Sequence, residues 1–231
     1  MGLECRFTKF LKNHPEIKRV GTLFTVKRSA SKVRLSRKIT PNICRIIGII
    51  HGDGNMSGKR IHVTDKNREY HQYLQKLFMK TFNIRMNLFY DEKKNTYYSH
   101  SKNSIVYKYL VEFLELPKGS VRQNLKIPSF LNELPMNLQA EYVAGIFDSE
   151  SHIRKRQAEI GFTTTSKDVW VFLKKFFKKA EIKFSERIRR RRKNPEFEIF
   201  IYGKKYLKKF NKIIRLNHNH KIMILKLFLS H

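Results

Sequence analysis

Residues 46–54 read IIGIIHGDG and residues 143–151 read VAGIFDSES, and these two nonapeptides decide the fold. Each has Gly at its third position (Gly48, Gly145) and an acidic eighth residue, Asp53 in one and Glu150 in the other, at an offset of 97. The likeness extends downstream. Residues 63–66 (VTDK) and 74–78 (LQKLF) match 162–165 (FTTT) and 173–177 (LKKFF) at an offset of 99, and 109–113 (YLVEF) matches 206–210 (YLKKF) at 97 again. Three matched blocks in one order mean an internal repeat, each copy a structural unit of its own. The two-residue drift fits a length change in an intervening hairpin.

Within each copy the hydrophobic pattern predicts helix, hairpin, helix, hairpin, helix, which makes the chain α+β with two αββαββα subdomains. Thr40 before Pro41 is a good helix start, and that helix runs to the Gly52 to Gly54 region. Asn137 is the expected cap of its second-copy counterpart, which ends near Glu150. Amphipathic helices are expected over 69–82 and 167–180, and strands over 183–192 and 196–202 around Lys193, Asn194 and Pro195. Pro117, Pro128 and Pro135, three of the six prolines, mark a connector. The expected division is a basic extension over 1–40, a first subdomain over 41–116, a linker over 117–137 and a second subdomain over 138–231. The extension has no counterpart in the second copy and carries Lys27, Arg28, Lys32, Arg34, Arg37 and Lys38. It is either a grip on backbone phosphate or a partly disordered arm.

Charge names the class of partner. The 49 basic residues against 19 acidic ones leave +30, spread along the chain, and a polyanion is the natural counterpart. Charge alone fits a structural nucleic-acid binder equally well. No apolar run approaches the ~18 residues that a membrane span needs. No secretion signal is legible at the start, and Cys5 and Cys44 are too few for a disulfide framework. An intracellular setting is expected, in cytoplasm, nucleoid or organelle.

The nonapeptides also carry a chemical reading. Two helix backbones approach closely only through small side chains, and Gly48, Gly52, Ala144, Gly145 and Ser149 supply such a face. A carboxylate at a helix C-terminus meets the negative end of the helix dipole, so something positive has to compensate. Two carboxylates side by side next to phosphates make a hard, oxygen-rich site suited to Mg²⁺ rather than to zinc or copper. A Gly-Asp-Gly triplet alone is usually only a turn. Its recurrence as an acidic residue at the equivalent point of a repeat is what points to chemistry.

The paired motifs resemble those of the LAGLIDADG homing endonucleases, in particular the monomeric double-motif members, over roughly residues 41–231. The resemblance implies two pseudo-twofold subdomains with the motif helices at their interface and antiparallel sheets forming a DNA-binding saddle. It implies site-specific double-strand cutting of DNA in intron homing, across the minor groove, leaving short 3′ overhangs. Asp53 and Glu150 are then the catalytic residues and, with Gly52 and Ser149, the metal set, for Mg²⁺ with Mn²⁺ or Ca²⁺ able to replace it. Lys66 falls where family members often place a water-ordering lysine; the alternative is a solvated surface lysine. The second copy has Thr165 there and would recruit Lys167 or Arg154, or neither. Two departures stand out: Ser151 replaces the closing Gly, and His51 stands where the second copy has Asp148. Asp148 reads as structural, and His51 as a core or interface histidine or a minor member of a solvent network.

Strands alternate their faces, so one side of each hairpin can pack on helices while the other meets DNA. Ile182, Phe184 and Ile188 fall on one side; Lys183, Ser185, Arg187, Arg189 and Arg191 fall on the other. Arginine there can hold guanine through two hydrogen bonds. Arg85 and Asn87 alternate likewise in the first copy, and Lys59, Arg60, Arg154 and Arg156 follow the motifs. Most such contacts go to phosphate rather than to bases. The expected partner is duplex DNA with a long pseudo-palindromic or asymmetric target, bound by a monomer. Two other classes compete: a non-cleaving RNA-binding intron maturase and a DNA-binding regulator that has lost metal chemistry. Acidic residues in both motifs favour cutting. An intein origin is disfavoured, because no nucleophilic first residue and no terminal His-Asn are present.

Overall fold

The computed structural model describes residues 2–27, 29, 31–120, 125–154, 157–190 and 195–230. Arg28, Arg156, Arg191, Lys193 and Asn194 lie outside the described residues, so the expectations placed on them stay untouched. The chain divides into two compact units, one of residues 1–43 and 54–120, the other of residues 44–53 and 121–231.

The first unit opens with helix α1 (Leu3–Asn13) and the hairpin β1 (Ile17–Val20) and β2 (Leu23–Val26). This part of the extension is folded. Phe7 and Phe10 are buried, with ring centroids 5.4 Å from Phe113 and 6.0 Å from Tyr109 respectively. Arg6 pairs with Glu115 at 2.6 Å. Aromatic pairs of this kind stabilise by about 0.5–1.5 kcal/mol beyond their buried area. The remainder follows the expected order: β3 (Gly54–Met56), β4 (Ile61–Asp65), α3 (Arg68–Phe82), β5 (Asn87–Asp91), β6 (Thr96–Ser101) and α4 (Ser104–Lys108), which continues as a π turn over Tyr109–Phe113. A short β7 (Gly119–Ser120) completes an antiparallel sheet in the order β5-β6-β4-β3-β7. Asn67 caps α3 by accepting from Tyr70 N at 2.9 Å, and Asn83 ends it in the left-handed conformation that its short polar side chain tolerates.

Helix α2 (Pro41–Asp53) begins as expected, with Thr40 Oγ1 accepting from Ile43 N at 3.3 Å. From Cys44 onward it belongs to the second unit. There α5 (Met136–Glu150), β8 (Ser151–Arg154), β9 (Glu159–Thr164), α6 (Lys167–Lys179), β10 (Ser185–Arg189), β11 (Glu196–Tyr202) and α7 (Lys204–Ile213) repeat the αββαββα order. A further helix, α8 (Asn219–Ser230), has no counterpart among the described residues of the first copy. The sheet order is β10-β11-β9-β8, antiparallel throughout. Ile160, Phe162, Phe197, Ile199 and Ile201 are buried on one face, with α6 and α7 packed on β9 and β11.

Two expectations are corrected. Asn137 does not cap α5, which starts one residue earlier behind Pro135; the Pro135 carbonyl accepts from Leu138 N and Gln139 N, and the proline ring presets the backbone angle. Ile188 does not pack inward but is 43% exposed. It lies on β10, the edge strand, beside the part of the sheet that the helices cover.

Candidate functional site

The site is built on the crossing of α2 and α5 inside the second unit, and the crossing is symmetric residue by residue. A Cβ added to Gly48 would collide with the Tyr142 carbonyl oxygen and lie 2.9 Å from Ile146 N and 3.0 Å from Gly145 Cα. A Cβ added to Gly145 would collide with the Arg45 carbonyl oxygen and lie 2.9 Å from Ile49 N and 3.0 Å from Gly48 Cα. Every partner maps onto its equivalent at the repeat offset of 97. The two backbones thus touch at glycine, where any side chain would hold them apart. One turn on, a Cβ at Gly52 would collide with that of Ser149 and lie 3.2 Å from Glu150 Cγ. The C-terminal ends of both motif helices, bearing Asp53 and Glu150, therefore lie beside each other, and both acids are half-buried.

Side chains lock this crossing. Arg45, 4% exposed, donates to Glu141 Oε2 at 2.6 and 2.8 Å, to Asp148 Oδ2 at 3.0 Å and to the Arg215 carbonyl at 2.9 Å. Asp148 is fully buried, and its other oxygen accepts from the Asn217 and His218 amides at 2.7 and 3.0 Å. Burial pushes the Asp148 carboxyl up, while Arg45, the two amides and Lys221 pull against it. Lys221 Nζ donates to the carbonyls of Phe147, Asp148 and Ser149 at 3.0, 2.7 and 2.8 Å. His51, at the position matching Asp148, is buried with Nδ1 3.0 Å from the Tyr142 hydroxyl. Burial holds its imidazole down at about 3. His51 and Asp148, at matching positions of the two motifs, are thus both packing residues at the helix crossing.

The other expected site residues fall on each unit's own surface. In the first unit Lys59, Arg60, Arg85 and Asn87 are exposed, and Lys66 is exposed in the turn between β4 and α3. Asp65, beside it, holds that turn by accepting from Asn67 N at 2.6 Å. Near Arg60 the sheet face carries aromatic and imidazole rings: Phe89 stacks on His100 with centroids 4.9 Å apart, and His62 lies 5.2 Å from Tyr98. In the second unit Arg187 and Arg154 are exposed. Arg154 pairs with Glu159 at 3.3 Å and lies over the Phe200 ring. Arg189 is half-buried, 2.9 Å from Glu198. His152 lies flat on the sheet at Gly161, where a Cβ would collide with its ring.

Sequence reasoning missed Arg45, Glu141, Tyr142 and Lys221. Arg45 left a trace, as the one charge within the apolar stretch of α2. Lys221 left none, because nothing in the sequence ties residue 221 to residues 147–149. Two hard carboxylate donors suit Mg²⁺, Mn²⁺ or Ca²⁺. Among the described residues no group of three or more His, Cys, Asp or Glu forms a protein-only metal cage. No helix of the described residues is long and apolar enough to cross a membrane.

Comparison with known proteins agrees with this architecture. Residues 137–215 match the model of the LAGLIDADG-like domain. Among curated proteins, the isomerizing glutamine–fructose-6-phosphate aminotransferase of Methanocaldococcus jannaschii is 32% identical over 139 residues, 58% of this chain; the match spans only 12% of that relative. Among solved structures, the homing endonuclease I-DmoI superposes with a TM-score of 0.57 at 13% identity, covering 78% of this chain and 99% of that one. Full-length DUF199/WhiA from Thermatoga maritima superposes with a TM-score of 0.57 at 13% identity, covering 82% of this chain and 60% of that one. At such identities the structural likeness shows the fold alone.

Proposed function

We propose, from the premise that this is a LAGLIDADG chain with the fold in two copies, that it is a site-specific endonuclease of the homing type that cuts both strands of duplex DNA. The observation that carries the reading is the glycine crossing, which brings an acidic residue from each motif to adjacent helix ends. Keeping two carboxylates together at the negative ends of two helices is unfavourable for stability alone. It is what a cation site beside a phosphodiester requires.

In this reading Asp53 and Glu150 would hold the divalent cation, with Gly52 and Ser149 beside them. A bound Mg²⁺ supplies a water of lowered pKa and charge stabilisation on the phosphoryl oxygens. The chain's own part is to fix both carboxylates and to exclude alternatives to that alignment. Lys66 orders water on the first-copy side. Exposed Lys59, Arg60, Arg85, Asn87, Arg154 and Arg187 grip the duplex, mostly through phosphate, and Arg189 does so once released from Glu198. Support for DNA and metal comes from I-DmoI, solved in complex with DNA and Mn, with DNA and Ca, and as a variant with its target DNA and Mg. The aminotransferase activity of the curated relative is not carried over, since the match spans so little of it.

The equal fit to WhiA favours a second reading, a nucleic-acid binder of this fold that does not cut, whether regulator or maturase. Incubation with Mg²⁺ and a randomised duplex library, followed by sequencing of broken ends, separates the two. The endonuclease reading expects one recurrent cut site with short 3′ overhangs and no cutting in EDTA. Binding without any broken ends contradicts it.

A further inference from the structure

The structure assigns Lys221, on α8, as a positioning residue for Glu150: its ammonium caps the C-terminal end of the second motif helix and holds the carboxylate in place. The inference rests on the reading of Glu150 as a site carboxylate. An α-helix leaves its last four carbonyls without intrahelical partners. In α5 three of these, on Phe147, Asp148 and Ser149, receive Lys221 Nζ at 3.0, 2.7 and 2.8 Å. An ammonium can donate up to three hydrogen bonds, and three carbonyls of one helix end lie within its reach. Lys221 thus places a full positive charge where the helix dipole and Glu150 are both negative.

The lock is reciprocal. Asp148 of α5 accepts from the Asn217 and His218 amides at the approach to α8, so each helix supplies a side chain that bonds backbone groups at the other's end. Ser151, immediately after Glu150, adds its hydroxyl to the Phe147 carbonyl. Glu150 is thus bracketed by residues whose backbone or side chain is tied down. Among the described residues the first copy has no helix equivalent to α8; after its π turn the chain passes through the connector residues into β7. The device is specific to one motif, and its loss should be felt on one side of the site.

The test uses the full chain and the variants Lys221→Met and Lys221→Arg, with folding checked by thermal unfolding. In metal-free protein, amide exchange over residues 147–150 is expected to quicken by about tenfold or more in Lys221→Met, the scale of losing charge-assisted hydrogen bonds, with the last turn of α2 unchanged. On a duplex carrying the recovered cut site, with each strand labelled separately, Lys221→Met should slow one strand by about tenfold or more relative to the other, so that nicked duplex accumulates. Lys221→Arg should restore both readouts in large part, and DNA affinity in low salt without metal should not move. Unchanged exchange at 147–150, or equal slowing of both strands, overturns the assignment. A wild type that cuts nothing overturns the endonuclease reading instead, and is seen before any variant is made.

Discussion

The two motif helices meet through the same atoms yet are secured by different means, and the difference separates what the fold needs from what the site needs. At the crossing, Gly48 and Gly145 see equivalent partners, and neither copy can be told from the other. Two residues before each acidic motif position the copies part. The first has a neutral, buried His51 on the Tyr142 hydroxyl; the second has Asp148 in a network with Arg45, two backbone amides and the neighbourhood of Lys221. Close approach is symmetric because geometry demands it. The securing contacts differ because a buried imidazole and an ion-paired carboxylate can each fill the same point of the crossing.

The largest expected effect breaks the charged side. Asp148→Ala leaves the Arg45 guanidinium short of a partner in a buried site and uncaps two amides, which should cost about 3–5 kcal/mol of stability, measured as the midpoint shift in urea unfolding. Next comes the shared crossing. Gly48→Ala and Gly145→Ala should each cost about 3 kcal/mol and should agree with each other within about 0.5 kcal/mol; a marked inequality would mean that the crossing is less symmetric than its contacts.

His51 then distinguishes the neutral side by pH. Its folded pKa, about 3, lies below the ordinary 6.5, so the unfolded chain binds more protons between those values. The stability associated with a neutral His51 is whole above pH 6.5 and is lost as pH falls through that window, by up to about 1.4 kcal/mol per unit. His51→Gln should flatten that slope, as followed by unfolding at successive pH values. The smallest effect on stability belongs to the surface: Arg187→Ala should change unfolding by no more than about 0.5 kcal/mol, while reducing the slope of log affinity against log salt by about 0.9 if it meets one phosphate.

The sequence made the crossing legible because glycine, small residues and acids recur there at a fixed offset, and a repeat is a signal that survives without any partner in view. The αββαββα order was legible for the same reason, through periodicity and helix caps such as Thr40. What escaped depends on contacts between residues far apart in the chain. Lys221 reaches a helix more than seventy residues before it, and Arg45 reaches Glu141, Asp148 and Arg215. Charge counting marked Arg154 and Arg189 as available for DNA, but Glu159 and Glu198 lie beside them on the sheet. Strand alternation placed Ile188 inward, and only the sheet order shows it on an edge.

We propose that Asp53 and Glu150, borne on neighbouring helix ends, do the cutting. The most direct measurement is strand-resolved cleavage in Mg²⁺ by Asp53→Asn and Glu150→Gln, each with duplex affinity measured alongside in low salt. Both variants are expected to keep the duplex bound and lose double-strand cutting. Either variant cutting both strands at the wild-type rate contradicts it.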